Sequence, residues 1–224
     1  MIAAIFDLDG TLYTGHIQKG IAYHHREHHV KRLPLAFYMV SRAALWPLWR
    51  SGLMSEARTR ELCVCRLGWT VRGWTPQEAA APFAWIAEQY VLPLVRRDIL
   101  ARLRDHQGAG HRVIIVSGTP APLLAEIGRQ LEVEETVGTL LTLRAGRYSG
   151  GCDRPVCQGR GKVLRLEACT GDGDRISWDQ SYAYADSFTD LPLLHHVGNP
   201  VAVCPDEQLG AVARRGGWEI IESP

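Results

Sequence analysis

The feature that most constrains the fold is a short apolar run that ends abruptly in an acid. Residues 1–6 are apolar and are followed at once by Asp7, a pattern typical of a buried parallel strand whose carboxyl end presents polar side chains. The pattern recurs at residues 112–117 and 181–186, which end in a serine and an aspartate. Because the carboxyl ends of parallel strands meet at one edge of a sheet, these polar residues are expected to face one crevice.

Helical signals separate these strand-like runs, each beginning at a capping residue, a proline or a glycine. They occur at residues 75–78, 119–120, 161–162 and 189–190. The first of these helical patterns extends to about residue 103, and two further apolar runs, 201–203 and 218–221, predict more strands. Alternating strands and helices predict an α/β fold with a doubly wound parallel sheet.

Residues 13–93 break this alternation. They have helical patterns throughout and separate the first strand from the second by far more than one crossover requires. The predicted organisation is therefore an α/β core formed by residues 1–12 and 94–224, with an all-helical cap, residues 13–93, inserted after the first strand.

Charge and cysteine content narrow the class of protein. The 25 basic and 24 acidic residues leave a formal net charge of +1, which provides no electrostatic footprint for nucleic acid. The six cysteines contain no Cys-x-x-Cys pair, and the chain opens directly on a strand-like run, so we expect reduced thiols and a cytoplasmic location. Cys152 and Cys157 lie in a predicted loop and are expected to be structural thiols.

Residues 33–49 are the most apolar stretch of the sequence. Arg42 interrupts the stretch, which is also shorter than the ~20 residues that a bilayer span requires, so we expect no stable membrane insertion. A buried cap helix is the preferred interpretation. Interfacial contact with a membrane is the alternative, because Trp46 and Trp49 are flanked by basic residues.

Carboxylates dominate the predicted crevice. Asp7 and Asp9 follow the first strand directly, and Asp186 and Asp190 lie one helical turn apart after a later strand. Four carboxylates at one place repel one another unless a cation lies among them, and hard oxygen ligands favour Mg²⁺. A calcium loop also begins Asp-x-Asp, but its glycine and glutamate are missing here at the required spacing.

Groups suited to an anion accompany these carboxylates. Gly10 permits a sharp turn and a close backbone approach to an anion. Ser117 and Gly118 follow the second strand and precede a helix, where a hydroxyl and backbone N–H groups form an anion site. Lys162, at the start of another helix, would neutralise an anion.

The order of these motifs closely resembles that of the haloacid dehalogenase-like superfamily. The order is Asp7-x-Asp9-Gly-Thr, then Ser117, then Lys162, then Asp186-x-x-x-Asp190. The helical insertion after the first motif resembles the phosphoserine phosphatase-like branch, subfamily IB. The resemblance spans residues 2–221 and implies a Rossmann-like core with a helical cap.

The resemblance also implies individual roles at the matching positions. Asp7 would be the nucleophile and a Mg²⁺ ligand, and Asp9 the general acid/base that also lends its backbone carbonyl to the metal. Asp186 would bind Mg²⁺ directly, and Asp190 would bind it through water or orient the site. The serine, glycine and lysine groups named above would hold the phosphoryl oxygens.

The implied activity is that of a Mg²⁺-dependent phosphomonoester hydrolase acting through an aspartyl phosphate on a small phosphorylated metabolite. Asp9 favours phosphoryl chemistry, because the dehalogenase members lack this second carboxylate. Two alternatives stay open at this point. One is phosphoryl transfer to an acceptor other than water, and the other is a catalytically idle or signalling role in binding a phosphorylated partner.

The cap is expected to select the substrate. Members specific for phosphoserine carry a glutamate shortly after the first motif, but residues 13–19 contain no acid, which argues against phosphoserine. Tyr13, His16 and Arg58 are candidates for substrate contacts. A histidine cluster in the cap has spacings suited either to metal binding or to surface and substrate contacts; it comprises His24, His25, His28 and His29.

Overall fold

The computed structural model describes residues 1–171 and 176–222 of the 224-residue chain. Its strands are β1 (Ala3–Phe6), β2 (Arg112–Pro120), β3 (Glu135–Thr139), β4 (Leu141–Arg144), β5 (Arg147–Cys152), β6 (Tyr182–Ala185), β7 (Asn199–Val203) and β8 (Glu219–Ile221). Six of them form a parallel sheet in the order β3-β2-β1-β6-β7-β8, and β4 and β5 form a separate antiparallel hairpin.

The helices are α1 (Ile17–Glu27), α2 (Arg32–Arg50), α3 (Glu56–Arg66), α4 (Pro76–Ile86), α5 (Arg97–Gly108), α6 (Ala121–Gln130), α7 (Arg160–Thr170), α8 (Leu191–Leu194) and α9 (Glu207–Gly216). Short 3₁₀ turns lie at Leu67–Val71, Leu92–Leu94, Trp178–Gln180 and Phe188–Asp190, and a π turn lies at Ala87–Val91. Within the described ranges, no helix combines the length and apolar character needed to cross a bilayer.

Strand β1 lies at the centre of the sheet and is completely buried. Its alternate residues enter two different hydrophobic clusters: Ala4 and Phe6 join one, and Ala3 and Ile5 join the other. Because side chains alternate across a strand, the two clusters lie on opposite faces of the sheet. The predicted doubly wound α/β architecture is thereby confirmed.

Several elements differ from the sequence prediction. The helix predicted from residue 75 to about 103 is broken between α4 and α5, since Pro93 cannot donate a backbone hydrogen bond and disfavours helix in the residue before it. Strand β2 continues to Pro120 instead of ending at Val116, with a shift of register between these two residues. Strand β3 and the β4–β5 hairpin are not predicted at all.

The residues of the turn between β4 and β5 explain why the sequence did not predict this hairpin. Ala145 and Gly146 have φ values of 51° and 73°, the pair of positive values that a type I′ turn requires. Asparagine or aspartate normally occupies the first of these positions, because alanine is strained there. An Ala-Gly pair therefore does not resemble a hairpin turn in the sequence.

Residues 13–93, the segment predicted to form the cap, contain α1 to α4 and the turns that connect them. Its second helix corrects the prediction for residues 33–49. Only Leu35, Tyr38 and Leu45 of α2 are buried, so the interpretation of this stretch as a buried helix is wrong. One stripe of the helix packs inward, and much of its remaining apolar surface is exposed.

A disulfide contradicts the expectation of reduced thiols for two of the six cysteines. Cys65 of α3 is bonded to Cys152 of β5, across a sequence separation of 87 residues. Cys157 is a free, buried thiol, in accordance with the structural role expected of it, and its Sγ lies 3.4 Å from the carbonyl oxygen of Val137. The Cys65–Cys152 bond joins a cap helix to the hairpin that follows β3, and no sequence motif links the two positions.

Candidate active site

The carboxyl ends of β1 and β6 bring three aspartates together. Asp7 directly follows β1, and Asp186 directly follows the neighbouring strand β6. Asp190 ends the short 3₁₀ turn that follows. Asp7, Asp186 and Asp190 each offer a carboxylate oxygen within 4.8 Å of the others. The structure therefore places these three predicted residues in one cluster.

Lys162 is buried within this cluster. Its Nζ lies 2.6 Å from Oδ1 of Asp7 and 2.7 Å from Oδ1 of Asp190, and all three residues are at most 5% exposed. Burial opposes the lysine charge, but Asp190 and Asp7 outweigh it and raise the pKa of the ammonium. Lys162 is thus a fixed cation at the base of the site.

One lysine does not balance three carboxylates. Burial raises the pKa of Asp7, Asp186 and Asp190 to about 6 each, because a buried carboxylate loses its hydration. The nearby charge of Asp190 raises the pKa of Asp186 further, while Lys162 lowers the pKa of Asp7 and Asp190. The cluster is therefore electrostatically suited to an additional cation, and its carboxylate oxygens are hard ligands of the kind that Mg²⁺ prefers.

The turn after β1 is fitted closely against this cluster. Gly10 has a φ of +83°, and a Cβ at this position would overlap Oδ2 of Asp186. Thr11 Oγ1 lies 3.3 Å from Oδ2 of Asp7 and 3.2 Å from Oδ1 of Asp186. Thr11 was not among the predicted site residues, although its place in the Asp-x-Asp-Gly-Thr motif was the available signal.

Asp9 occupies a separate position. The three-residue cluster found among the described residues does not include the Asp9 carboxylate. Its Oδ1 accepts hydrogen bonds from the Tyr13 hydroxyl at 2.5 Å and from the Ile17 backbone N–H at 2.9 Å. Burial raises the pKa of Asp9 to about 6, although the bond from Tyr13 lowers it. Tyr13, predicted as a substrate contact, is completely buried and orients Asp9.

Three of the four predicted phosphate-binding residues face the same cavity as the aspartates, and Gly10 is not among the residues that line it. Ser117, Gly118 and Lys162 all line it. Ser117 Oγ accepts a hydrogen bond from the Thr119 backbone N–H at 3.1 Å and lies 3.0 Å from Thr119 Oγ1. Ser117, Gly118 and Thr119 belong to the last part of β2, where the register shifts, so they line the cavity from the strand itself.

The cavity has a volume of about 720 Å³ and is lined on its far side by cap residues. The cap wall comes from the start of α1 and from α2 and α3, and includes aromatic and charged side chains. Its members are His16, Ile17, Gln18, Lys19, Tyr38, Arg42, Trp46, Trp49, Glu56, Thr59, Arg60, Cys63 and Val64, together with Leu67 of the turn after α3. The members from α3 recur every three or four residues, which is the helical periodicity that identifies a single face.

The substrate contacts predicted within the cap have different outcomes. His16 lines the cavity. Arg58 lies on the exposed side of α3, where its guanidinium pairs with Glu61 at 2.8 Å. Arg42 and Arg60 are the arginines that line the cavity, and sequence reasoning missed both of them.

The histidine cluster lies away from the cavity. His25 is completely buried, and its Nε2 is 2.9 Å from the carbonyl oxygen of Thr70. The rings of His24 and His28 pack against Trp85. Burial lowers the pKa of His24 to about 4 and also lowers that of His25. These contacts describe packing inside the cap.

The fold and the site together define a class of protein. The chain is an α/β enzyme whose parallel strands end in a buried carboxylate cluster with an ion-paired lysine, beneath a helical cap. A family model of haloacid dehalogenase-like hydrolases matches residues 4–195. The chain therefore belongs to the haloacid dehalogenase-like hydrolase family and is an enzyme of its phosphatase type.

Individual relatives agree with this assignment. Phosphoserine phosphatase SerB1 of Mycobacterium tuberculosis is 28% identical over 223 residues, which are 97% of this chain and 70% of that protein. A Bordetella pertussis protein of unknown function has a similar structure, with a TM-score of 0.81, 25% identity and coverage of 98% and 97% of the two chains. The fold also resembles a phosphoserine phosphatase solved as an analogue of its phospho-aspartyl intermediate, with a TM-score of 0.65, 16% identity and coverage of 99% and 93%.

Proposed function

We propose that the protein is a Mg²⁺-dependent phosphomonoester hydrolase that acts through a phosphorylated Asp7 on a small phosphorylated metabolite. The observation that carries the proposal is the environment of Asp7. Its carboxylate is buried at a strand end, is ion-paired with Lys162 at 2.6 Å, and faces a cavity of about 720 Å³. A carboxylate nucleophile needs a place for a substrate beside it, and this site provides one.

Asp7, Asp186 and Asp190 would hold the metal, with the Asp9 backbone carbonyl as a further ligand. Bound Mg²⁺ would neutralise the carboxylates and the phosphoryl oxygens. Lys162 supplies a fixed positive charge beside the nucleophile, and Ser117 and Gly118 supply hydrogen-bond donors on the β2 side. These preorganised groups would thus stabilise the negative charge that spreads over the phosphoryl oxygens during transfer.

Asp9 is placed to move protons. Among the described residues, both hydrogen bonds to the Asp9 carboxylate go to Oδ1, so Oδ2 is the oxygen that exchanges the proton. A pKa raised to about 6 keeps part of this carboxyl protonated near neutral pH, as a general acid requires. Asp9 protonates the leaving alkoxide when Asp7 attacks phosphorus, and then takes a proton from the water that hydrolyses the aspartyl phosphate.

The cap wall supports a substrate other than phosphoserine. An amino acid ammonium would need an acid beside it, but His16, Gln18 and Lys19 line the cavity near the first motif. Glu56, the acid contributed by the cap, is already paired with Arg60 at 2.8 Å. Trp46 and Trp49 add aromatic surface to the same wall. These groups favour a larger leaving group that presents both apolar surface and hydrogen-bond acceptors.

The first experiment measures hydrolysis of an aryl phosphate by purified protein stripped of metal. Activity should require added Mg²⁺, and the Asp98→Asn variant, which changes an exposed acid of α5, should match wild type. Full turnover in excess EDTA would contradict the proposal. A screen of phosphorylated metabolites then tests the substrate, and phosphoserine as its best substrate would show that the cap wall is misinterpreted.

The screen also separates hydrolysis from the two alternatives. A phosphotransferase would pass the phosphoryl group to an added alcohol in preference to water, which mass spectrometry of the acceptor detects. An idle binding protein would retain a phosphorylated ligand without releasing phosphate. Release of inorganic phosphate in the absence of any acceptor, matched by loss of substrate, supports the hydrolase.

A further inference from the structure

Helix α2 has one side whose large apolar side chains are exposed to solvent. The large apolar side chains on that side are strongly exposed: Leu33 is 73% exposed, Phe37 67%, Val40 67% and Leu48 39%. Isolated exposed leucines are ordinary on protein surfaces, whereas a contiguous set along one helix marks an interaction site.

The spacing of these residues places them in one stripe. Together with the exposed Ala44, they follow one another at intervals of four, three, four and four residues, which is the spacing of a single helix face. The cavity-lining residues Tyr38 and Arg42 belong to the opposite face of α2. The stripe is therefore separate from the active site and does not depend on the proposed function.

The charged residues of the segment that contains the stripe all have one sign. From residue 28 to residue 55 the sequence contains no aspartate or glutamate. Arg32 and Arg50 are exposed at the two ends of α2. An apolar stripe on a helix whose own segment carries basic residues and no acids is the arrangement of helices that lie in the interface of an anionic bilayer.

The charge pattern also decides between a membrane and a second copy of the chain. Two copies of α2 related by a two-fold axis would bring Arg32 close either to itself or to Arg50 of the other copy, depending on the direction of the helices. Neither arrangement supplies an acid from this segment to compensate. Anionic lipid headgroups supply that charge along the whole helix.

We propose that α2 docks the cap on an anionic lipid bilayer, with its axis parallel to the membrane plane. Leu33, Phe37, Val40 and Leu48 enter the boundary between headgroups and acyl chains, and Arg32 and Arg50 bind headgroup phosphates. A helix of 19 residues is roughly 28 Å long at about 1.5 Å per residue. The cavity on the opposite face of the helix stays open to water.

The test is co-sedimentation of the full chain with phosphatidylcholine vesicles that contain or lack phosphatidylglycerol. Binding should require the anionic lipid and should weaken as salt rises from about 50 mM to about 500 mM, because screening removes the attraction between arginines and headgroups. Equal binding to both vesicle types would overturn the proposal.

Two double variants test the surface itself. Leu33→Ser with Phe37→Ser should lower the partition coefficient on the order of 100-fold, at about tenfold for each large apolar side chain. Leu140→Ser with Leu143→Ser removes two leucines that are also exposed, outside the stripe, and should bind like wild type. Aryl phosphate hydrolysis without vesicles verifies that each variant is folded.

The basic residues have their own matched pair. Arg32→Gln with Arg50→Gln should lower the partition coefficient roughly 25-fold, at about fivefold for each charge near the surface. Arg214→Gln with Arg215→Gln, on the exposed end of α9, should have no effect. If the Leu33/Phe37 variant instead converts a dimer to a monomer in sedimentation velocity, and wild type ignores anionic vesicles, α2 is an interface between copies and the proposal fails.

Discussion

The two walls of the active-site cavity are built differently. On the core side, Asp7, Asp190 and Lys162 are at most 5% exposed and are held by ion pairs of 2.6 and 2.7 Å. On the cap side, α3 contains no buried residue among its eleven positions, and its Arg60–Glu56 pair is about half exposed. The core wall is fixed before substrate arrives, while the charged side chains that α3 contributes to the cap wall are held by weak surface interactions that a substrate can rearrange, although the Cys65–Cys152 disulfide ties α3 itself to β5.

This difference predicts two kinds of effect from substitution. Changes in the core wall should lower kcat because the preorganised groups act on the transition state. Changes in the cap wall should mainly raise KM for the natural substrate. A variant that violates this division would show that the two walls do not have separate roles.

The largest effect is expected from Asp7→Asn. An amide is not a competent nucleophile, and the substitution also weakens a metal ligand, so kcat should fall on the order of 10⁵-fold. No phosphoenzyme should form, which mass spectrometry of quenched protein detects. Residual activity near wild type, or a phosphoryl adduct on another residue, would show that the nucleophile is wrongly assigned.

Asp9→Asn should have the next largest effect. The nucleophile and the backbone carbonyl of residue 9 remain, but proton transfer is lost, so turnover should fall by about 10² to 10⁴. With an aryl phosphate, whose leaving group needs little protonation, hydrolysis of the intermediate should suffer most. Phosphoenzyme should then accumulate as roughly 80 Da of added mass, one phosphoryl group, on the peptide containing Asp7.

Tyr13→Phe is the matched control for Asp9. It removes the 2.5 Å hydrogen bond that orients the carboxylate and leaves the acid in place. Its effect on kcat should be much smaller than that of Asp9→Asn. With an aryl phosphate, hydrolysis of the intermediate needs Asp9 as a deprotonated base, so the acidic limb of the rate profile reports the pKa of Asp9. Since losing this bond raises that pKa, the limb should move to higher pH. An unchanged profile would mean that Tyr13 has only a packing role.

The core could be predicted from sequence because the relevant signals are local. Each strand end is an apolar run followed by a polar residue, and Asp7 and Asp186 lie where that pattern places them, whereas Ser117 lies inside β2, which continues to Pro120. Lys162 begins a helix, as expected, but its burial between two aspartates depends on the packing of α7 against the sheet. Sequence spacing alone predicts the helix start and not the burial.

The cap could be predicted only as helical. Which face of α3 lines the cavity depends on its rotation, and Arg58 and Arg60 differ by two positions, enough to separate an arginine outside the cavity from a cavity-lining one. The Cys65–Cys152 bond joins two distant segments and has no local signal. The exposed side of α2 was not the preferred prediction, because an apolar stretch of this length resembles a buried helix.

Cys152→Ser tests how firmly the cap wall is tied to the rest of the molecule. The disulfide closes a long loop between α3 and β5, and losing such a bond typically costs about 2 to 4 kcal/mol of folding free energy. Chemical denaturation under oxidising conditions should show this loss. Cys169→Ser, which changes an exposed free thiol, is the control. Equal stability of wild type and Cys152→Ser would mean that the bond does not form in solution.

Arg42→Ala and Arg60→Ala test recognition by the cap wall. Each should raise KM for the best substrate of the screen by about tenfold, the usual cost of losing one charge-assisted hydrogen bond. The kcat for a small aryl phosphate, which does not reach the cap wall, should change little. Arg58→Ala is the control, because Arg58 lies on the exposed side of the same helix. A large loss of kcat in either cavity variant would contradict the division between the walls.

The smallest expected effect concerns stability and lies in the core beneath β6. His106 is 8% exposed, and its Nε2 lies 2.8 Å from the hydroxyl of Tyr184. Burial, with a contribution from His111, lowers the pKa of His106 to about 4, below the ordinary value of about 6.5. As pH falls from 6.5 to 4, the unfolded chain therefore binds a proton at this histidine that the folded chain does not bind, and the free energy of unfolding decreases.

His106→Gln should abolish this contribution. Lowering the pH from 6.5 to 4 should therefore decrease the free energy of unfolding of wild type by about 1 to 2 kcal/mol relative to that of the variant. Asp7, Asp9, Asp186 and Asp190 have raised pKa values and act in the opposite direction. They titrate in both proteins, so the difference between the two isolates the histidine. Urea denaturation at several pH values measures it. Tyr184→Phe keeps the buried imidazole and should keep the wild-type slope. Parallel curves for wild type and His106→Gln would show that His106 takes up its proton equally in the folded and unfolded chains.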